Sequence, residues 1–510
     1  MPHSLSTPDV TTPGGLLLVL AVLVPFVGML AGMVLGGRGA RRVALATLVA
    51  GLAIAIAIAD ALVRSGDAVV YLLGGWAPPL GVALRADGLA VVMLLAVAVV
   101  IGGIGVYARA DFGTPPGVRE VRAPLMFWLL LLAVWGSLNL VFVSGDLFTL
   151  YVALELLTFA GVPLVSLGGS PETLRSALRY LLYALFGSVL YLLGAVLLYG
   201  AYGTLDIVLL AARVHPEPVT WAAAALMTGG LLAKTALFPL HLWLPPAHAG
   251  APAAASAVLS GLVIKGSWFL AVRLWLDVFA GVVTVPSAQT LAALGAAAIL
   301  VGNIVALRQA RLKLLIAYST VAQIGYLFLM FPLAAGLAAA QLDSAAAVNG
   351  GLLQAISHAT AKAAMFMAAG LIYTTLGHDR IADLRGVARA LPMTLVAFAL
   401  GGASLIGLPP SGGFLAKWLL VSAAITTAQW WWALVMLVGG LLTSAYVFIV
   451  VVRALAPAPE GWTPKASVPR YQEAAVLALA LCSFLLGMAV FCPVDVAGIG
   501  RAVAPGIGSP

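Results

Sequence analysis

GGLLAKTALFPLHLWLPPAHAGAPAAASAVLSGLVIK, residues 229–265, is the stretch on which the rest of the fold depends. Lys234 and Lys265 lie in apolar runs on either side of a centre rich in proline and histidine. A charged side chain at membrane depth costs between ~3 and ~17 kcal/mol, so it is kept only with a partner, water or a function. Prolines also interrupt the helices here, and broken backbone at membrane depth is tolerated only inside protein or beside a water-filled cavity. The stretch therefore predicts the centre of an ion path.

The composition is that of a protein that crosses a membrane many times. The 510 residues are 63% hydrophobic and 9% charged, and the mean hydropathy is +1.11, whereas a soluble domain carries about a quarter charged residues. The net charge of +8 lies in short loops, where it reports topology and not nucleic-acid binding. Cys482 and Cys492 lack the spacing of a zinc or iron–sulfur site, and the chain shows no nucleotide-binding fingerprint. We expect no metal and no cofactor.

A spanning helix needs about 20 apolar residues, and fourteen stretches of the chain meet that requirement. The expected fold class is therefore an all-α polytopic membrane protein without a separate soluble domain. We divide it into helices 1–3 (residues 1–120), a core (121–455) and a C-terminal helix 14 (456–510). The predicted helices cover approximately residues 14–35, 42–63, 86–108, 121–143, 146–168, 173–202, 219–240, 252–276, 286–307, 312–332, 345–375, 392–423, 429–454 and 472–494.

Loop charge orients these predicted helices. Of the 26 Lys and Arg residues, 17 fall in the connections after odd-numbered helices and 5 in the remaining connections and the C-terminal tail. Cytoplasmic loops carry the excess of basic residues, so both termini are predicted to lie outside, on a multi-pass protein of a bacterial inner membrane. The other four basic residues fall inside helices and are Lys234, Lys265, Lys362 and Lys417.

A similar hexapeptide occurs twice in the chain, and each copy ends at one of these lysines; we call this internal similarity the echo. GGLLAK ends at Lys234 in helix 7, and GGFLAK ends at Lys417 in helix 12. An offset of five helices reverses the direction in which the chain crosses the membrane, which is typical of inverted repeats in transporters. The echo predicts that helices 4–8 and 9–13 are such repeats, although Gly-Gly and Leu-Ala also recur by chance in a chain of this composition.

Glu155 and the four lysines are the ionisable residues that lie well inside predicted helices. Desolvation lowers the pKa of an isolated buried lysine and a nearby carboxylate raises it again, so a balanced lysine can exchange a proton near neutral pH. Glu155 is the one carboxylate placed at mid-helix, and we expect it to pair with Lys234. A structural ion pair between two helices is the alternative. For Lys265 and Lys417 the alternative is that the side chain reaches the membrane surface.

Three histidines complete the candidate site. His358 precedes Lys362 by one helical turn, so the two share a face, and its pKa range suits a proton relay. A core histidine bonded to a carbonyl is the competing interpretation. His241 and His248 flank the break after helix 7 and are weaker candidates, since they could equally be interfacial loop residues.

Five segments together resemble the antiporter-like subunits of respiratory complex I and of Mrp-type cation/proton antiporters. The resemblance is collinear over roughly residues 120–455, and helices 1–3 and 14 fit the family's plan of 14 helices. The segments are SGDLFTLYVALELLTFAGVPL (144–164), LLAKTALFPLHLWLPPAHAGAPAAASAVLSG (231–261), LKLLIAYSTVAQIGYL (312–327), ISHATAKAAMFMAAG (356–370) and LIGLPPSGGFLAKW (405–418).

The resemblance implies two inverted five-helix repeats, helices 4–8 and 9–13, with broken helices 7 and 12 and a line of charges along the membrane midplane. It also implies proton-relay roles for matching residues, namely Glu155, Lys234, Lys265, His358, Lys362 and Lys417. In one complex I subunit type the last position is glutamate, so the lysine argues against that type. Pro246 and Gly250 depart from the family pattern, because many relatives carry acidic residues at these places.

These observations predict a proton-conducting subunit of a larger membrane complex. The complex could be a Mrp-type antiporter, a complex I-like NADH-quinone oxidoreductase or a membrane-bound hydrogenase. Its other membrane subunits and the lipid bilayer would be the partners, and sodium is left open as a second ion beside protons. Whether the complex is an enzyme is also open, because this chain has no redox centre. The rival prediction is a stand-alone secondary transporter that uses the lysines as counter-charges for its substrate, and a third is a structural scaffold.

Overall fold

The computed structural model describes residues 10–115, 117–118, 120–335, 346–488 and 492–501. Arg119, one of the residues assigned to the cytoplasmic side, and residues 489–491 of predicted helix 14 lie outside these ranges. The helices are α1 (Leu16–Leu35), α2 (Gly37–Ser65), α3 (Gly88–Asp111), α4 (Arg122–Val143), α5 (Leu147–Val165), α6 (Pro171–Tyr202), α7 (Ile207–Arg213), α8 (Pro218–Thr235), α9 (Leu244–Gly250), α10 (Ala253–Val278), α11 (Val285–Leu307), α12 (Leu312–Ala334), α13 (Ala346–Leu376), α14 (Val387–Ala390), α15 (Pro392–Ile406), α16 (Gly412–Thr426), α17 (Trp430–Leu455), α18 (Arg470–Leu485) and α19 (Cys492–Ala497).

Helix is present in each of the fourteen stretches where it is predicted, within the described ranges. Eleven of the described helices are long and apolar enough to cross a membrane. The predicted helices 7, 12 and 14 correspond to shorter segments, namely α8, the pair α15 and α16, and α18. The all-α polytopic class is confirmed, whereas the count of fourteen crossings stays a prediction.

A small hairpin occupies the connection between predicted helices 2 and 3. Strand β1 (Val69–Leu72) pairs in antiparallel fashion with β2 (Ala83–Ala86). Val69, Val70 and Leu72 of β1 are buried, and Thr12 Oγ1 accepts a hydrogen bond from Val70 N at 2.8 Å. The hairpin therefore packs against the N-terminal end of the helical bundle.

The two breaks predicted in helices 7 and 12 are present. The first separates α8 from α9 and begins at Ala236, whose φ of 59° lies in the left-handed region. The second separates α15 from α16 and begins at Gly407, with φ of 92°. Proline follows within a few residues in each case, at Pro239 and Pro409, and its missing N–H prevents the helix from continuing.

The hexapeptide echo does not align these two breaks. GGLLAK closes α8, before the first break, whereas GGFLAK opens α16, after the second. Lys417 is therefore not the positional counterpart of Lys234, because the two lysines lie on opposite halves of their broken helices. The echo therefore does not identify equivalent positions in the two broken helices. The inverted repeats, and the division into residues 1–120, 121–455 and 456–510, stay predictions.

Helices α10 and α13 form the centre of the bundle. All residues in the most apolar stretch of α10 are buried, and 94% of the residues in the corresponding stretch of α13 are buried. Outer helices expose apolar stripes instead, as α6 does with Leu174, Leu178 and Leu182. Such a stripe at a spacing of four residues suits contact with lipid or another membrane helix. The central position of α10 and α13 matters because they carry Lys265, His358 and Lys362.

Candidate functional site

Lys234 and Glu155 form the ion pair that the sequence predicts. Lys234 lies in the last turn of α8, and its Nζ is 3.2 Å from Glu155 Oε1 on α5. The same Nζ donates to Thr158 Oγ1 at 3.0 Å. The hydroxyl of Ser188 on α6 also donates to Glu155 Oε1. Three helices thus meet at a carboxylate that is mostly buried, with a side-chain exposure of 14%.

Lys265 hydrogen-bonds His358, which lies on the same face of α13 as Lys362. Lys265 Nζ donates to Ser260 O at 2.7 Å and hydrogen-bonds His358 Nδ1. Ser260 lies in a π-helical turn, Leu259–Val263, and such turns often occur at functional sites. Helical spacing places His358 and Lys362 on one face of α13, but the partner of each is decided by the neighbouring helix.

Lys362 hydrogen-bonds groups on α12 and not His358. Its Nζ donates to Ile316 O at 3.1 Å and also to the hydroxyl of Ser319. The side chain is fully buried. Both partners are neutral, so protein dipoles solvate the ammonium at these contacts.

Lys417 binds the end of the preceding half-helix. Its Nζ donates to Leu405 O at 2.5 Å and to Ile406 O at 3.1 Å, at the C-terminal end of α15. The carbonyl end of a helix carries a partial negative charge. The Nζ also lies 4.4 Å from the ring centroid of Tyr326, a cation–π contact. In the described part of the chain, neither Lys265, Lys362 nor Lys417 makes an ion pair with a carboxylate.

Hydroxyl groups join the sites of Lys265 and Lys362. Ser260 Oγ and Thr320 Oγ1 are 2.9 Å apart, and Thr320 donates to Ile316 O at 3.0 Å. Ile316 O is the same carbonyl that accepts from Lys362. The two lysines are thus connected through hydrogen bonds between α10, α12 and α13.

Two buried glutamines form a separate set of polar contacts that ends at the Lys417 site. Gln354 Nε2 donates to Gln323 Oε1 at 2.9 Å, and Gln323 Nε2 donates to Leu405 O at 3.2 Å. Leu405 O is also an acceptor for Lys417. Sequence reasoning missed these hydroxyl and amide groups, since single Ser, Thr and Gln residues in apolar helices have no distinctive spacing.

His241 and His248 are both buried but do not join the lysines through direct hydrogen bonds among the described residues. His241 stacks on Phe238, with ring centroids 5.4 Å apart. His248 stacks on Phe366 at 4.5 Å, and neither of its ring nitrogens has a hydrogen-bond partner in the described structure. The structure places both residues inside the protein and not in an interfacial loop.

Arg273 forms an ionic network that the sequence did not reveal. The loop-charge count places this residue in a connection, but it lies in α10 with a side-chain exposure of 12% and contacts both oxygens of the Asp87 carboxylate. It also lies 3.1 Å from Asp277, which in turn pairs with Arg501 at 3.1 Å. We call these four residues the Arg273 network. The spacing of Arg273 and Asp277, one turn apart, was the available signal.

Asp87 has a second role as the N-cap of α3. Its Oδ1 accepts a hydrogen bond from Ala90 N at 3.0 Å. Burial alone would raise the pKa of this carboxyl, but the Arg273 guanidinium and the Ala90 N–H hold the pKa below its ordinary value. Asp87 therefore remains ionised in the folded protein at neutral pH.

A polar cavity lies where α3, α12 and α13 meet the link between α9 and α10. Its volume is about 360 Å³, and its lining includes Tyr107, Asp111, Arg311, Lys313 and Tyr373. Lys313 is buried and donates to Ala251 O. Across the described residues, no three His, Cys, Asp or Glu side chains group together as a metal site would require.

A family comparison decides what kind of protein carries this site. Residues 144–443 match the family described as NADH:quinone oxidoreductase/Mrp antiporter, transmembrane. The chain belongs to this family. All six predicted relay residues, from Glu155 to Lys417, lie inside the matched range.

Curated relatives in the NADH:quinone oxidoreductase/Mrp antiporter family cover most of the chain. NADH-quinone oxidoreductase subunit N of Desulforudis audaxviator is 36% identical over 81% of this chain and 79% of its own length. A Na(+)/H(+) antiporter subunit of Alkalihalophilus pseudofirmus is 30% identical over 80% of each chain. The predicted resemblance to antiporter-like subunits is confirmed, and the chain is a multi-pass membrane protein.

Solved structures show the same fold. A chain of the Mrp complex from a Dietzia species has a TM-score of 0.84 at 24% identity, covering 95% of this chain and 97% of its own. A chain of respiratory complex I from Thermus thermophilus has a TM-score of 0.73 at 26% identity, covering 95% and 100%. The family fold therefore extends over nearly the whole chain.

Proposed function

We propose that this antiporter-like subunit moves protons along its buried lysines. The row runs from Lys234 through Lys265 and Lys362 to Lys417, with His358 beside Lys265. Glu155 modulates the charge of Lys234. The observation that carries the proposal is the set of neutral partners at three lysines, made of carbonyls, hydroxyls, an imidazole and an aromatic ring. Such a lysine can give up its proton without leaving a buried carboxylate unpaired.

The ion pair at Lys234 supplies the means of control. While Glu155 holds the ammonium, the proton is retained at Lys234, since an opposite charge favours the charged form. Lengthening the pair removes that effect. Protonation of one lysine makes protonation of its neighbour harder, because like charges at short range couple their titrations. Coupling along the row is thus electrostatic and needs no large movement of the helices.

The subunit would work inside a multisubunit membrane complex. Support comes from its likeness to chains of the Mrp complex and of respiratory complex I, together with its family membership. We propose that partner membrane subunits supply the driving force, through cation exchange or electron transfer. We place the protein in a bacterial inner membrane with both termini outside, which the bias of basic loops supports.

The polar cavity beside α3 offers protons access from one side. Its lining holds Asp111, Lys313 and Tyr107, and it lies at helix ends assigned to the cytoplasm by loop charge. The lining combines an anion, a cation and a phenol, which together can hold water. We propose that it is the cytoplasmic vestibule of the relay.

Substitution of Lys234 tests the relay directly. In proteoliposomes that contain the intact complex, both Lys234→Ala and Lys234→Arg should lose coupled proton translocation by tenfold or more, as expected for a lost proton-transfer group (~10² or more). Arginine fails because it stays charged at every relevant pH. The measurement is proton uptake followed with a pH-sensitive dye under a fixed driving force.

The exposed Lys465 provides a matched control. Lys465→Arg and Lys465→Ala make the same changes of side chain in a loop and should have no effect on proton translocation. Retention of substantial transport by Lys234→Arg alone would instead favour a substrate counter-charge. Full transport by Lys234→Ala would contradict both functions and favour a scaffold.

A further inference from the structure

A small cavity lies beside Lys234 and reaches α10. Its volume is about 10 Å³, at the lower end of the ~10–15 Å³ of free space that one water molecule needs. Thr158, Tyr180, Lys234 and Ser267 are the polar residues that line it, and Ala184 is one of the apolar ones. The side chains of these four polar residues are all more than nine-tenths buried. The cavity therefore has the size and lining of a site for a single water.

Lys234 has a donor to spare for that water. An ammonium carries three N–H donors, and its protein acceptors are Glu155 Oε1 at 3.2 Å and Thr158 Oγ1 at 3.0 Å. A buried water needs two to four polar partners. Lys234, Thr158 and Ser267 provide three around one cavity.

Ser267 is held in place by contacts that leave its oxygen available. Its hydroxyl donates to Ile264 O at 3.2 Å on its own helix. Thr235 Oγ1 lies 3.0 Å from Ser267 Oγ and 2.6 Å from Leu231 O. A threonine hydroxyl has one proton, so Thr235 can serve only one of these acceptors at a time. The Ser267 oxygen can then accept from water, which fixes the water on the α10 side of the cavity.

We propose that Ser267 is a positioning residue that holds one water against Lys234 Nζ, and that this water receives the proton which Lys234 passes towards α10. The inference rests on the proposed function. An N–H bond of Lys234 breaks as an O–H bond to the water forms, and the water releases one of its own protons. The neutral amine of Lys265, on the same helix as Ser267, takes up the proton. One positive charge moves and no electrons are exchanged.

Ser267→Ala is the direct test, since it removes the hydroxyl and keeps the rest of the side chain. Loss of one hydrogen bond to the transferring water should slow coupled translocation by about tenfold. The rate ratio between H₂O and D₂O should rise above that of the wild type, because the slowed step is a proton transfer. Both are measured with the intact complex in proteoliposomes, alongside Lys234→Ala.

Two further variants distinguish loss of the water site from a general effect on folding. Ser137→Ala removes a buried hydroxyl on α4 that donates to Ala133 O at 2.7 Å, and it should match the wild type. Ala184→Val fills the cavity without removing a polar group and should slow translocation as Ser267→Ala does. The amount of assembled complex, measured by size-exclusion chromatography, should be unchanged in Ser267→Ala.

The outcomes distinguish this assignment from the relay itself. If Lys234→Ala abolishes translocation while Ser267→Ala matches the wild type, the relay stands and the assignment of Ser267 is wrong. A slowed Ser267→Ala with an unchanged isotope ratio would mean a structural serine and would also overturn it. Wild-type translocation by Ala184→Val would exclude the water site. Full translocation by Lys234→Ala overturns the relay and this inference together.

Discussion

Lys265→Met is expected to abolish proton translocation by the assembled complex while leaving the subunit folded. Lys265 is 1% exposed, and within the described part of the chain its Nζ hydrogen-bonds Ser260 O and His358 Nδ1. Removal of a proton-transfer group costs about 10²-fold or more in rate. Methionine preserves the length and volume of the side chain, and replacing a buried charge by a hydrophobic residue is often neutral for stability.

The measurement is dye-monitored proton uptake by the intact complex in proteoliposomes. His358→Gln is the informative companion, because glutamine keeps an acceptor for Lys265 but cannot titrate near neutral pH. It should lie between Lys265→Met and the wild type. Lys465→Met, in an exposed loop, serves as the control. Wild-type pumping by Lys265→Met would remove this lysine from the path, whatever the result at Lys234.

The largest loss of stability is expected for Arg273→Met, at about 3–5 kcal/mol in the free energy of unfolding. The substitution leaves the Asp87 carboxylate buried without its guanidinium partner. Asp87→Ser in the same chain removes the orphaned charge and keeps an N-cap acceptor for α3, so the double variant should recover much of the loss. Thermal unfolding of the purified subunit or complex measures each step.

Arg64→Met is the matched control for that experiment. Arg64 pairs with Asp60 one turn earlier at 2.8 Å, but both side chains are more than half exposed. Exposed pairs of this kind contribute about 0.3–0.5 kcal/mol. Equal losses from Arg64→Met and Arg273→Met would show that burial does not decide the strength of the Arg273 network.

The Arg273 network also predicts how the stability of the protein depends on pH. The pKa of the Asp87 carboxyl is below its ordinary value in the folded protein, so its contribution to stability is fully present above the unfolded value of about 3.9. It is lost as the pH falls through the lower folded value. In Arg273→Met burial instead raises the pKa of this carboxyl, so the variant loses its penalty as the acid takes up a proton. The stability gap between wild type and Arg273→Met should therefore be largest at neutral pH and should narrow as the pH falls. A gap that widens in acid would have the wrong sign.

Compensation of buried charge is what made part of the site predictable. Glu155 was the one carboxylate at mid-helix and a nearby carboxylate stabilises a buried ammonium, so its pairing with Lys234 could be read from the sequence and is confirmed by the 3.2 Å contact. The helix breaks were predictable for a similar reason, since proline cannot donate the hydrogen bond that a helix requires.

The partner of His358 could not be obtained in that way. Periodicity fixes the face of α13 on which His358 and Lys362 lie, but it does not say which helix packs there. Lys265 reaches His358 from α10, where a π-helical turn lies just before it. No residue pattern marks that turn. The Arg273 network was missed because residues that contact each other in it lie up to 224 positions apart in the sequence.

That separation has a consequence for how the protein is made. Asp87 and Arg273 belong to early and middle parts of the chain, whereas Arg501 follows Asp277 by 224 residues. At roughly 5–20 residues per second, translation of this interval takes roughly 10 to 45 s. For that time a newly inserted α10 carries Asp277 at the membrane border before Arg501 has been synthesised. Quality-control proteases that sample nascent membrane proteins would have that interval in which to act, and the arrival of Arg501 would end it.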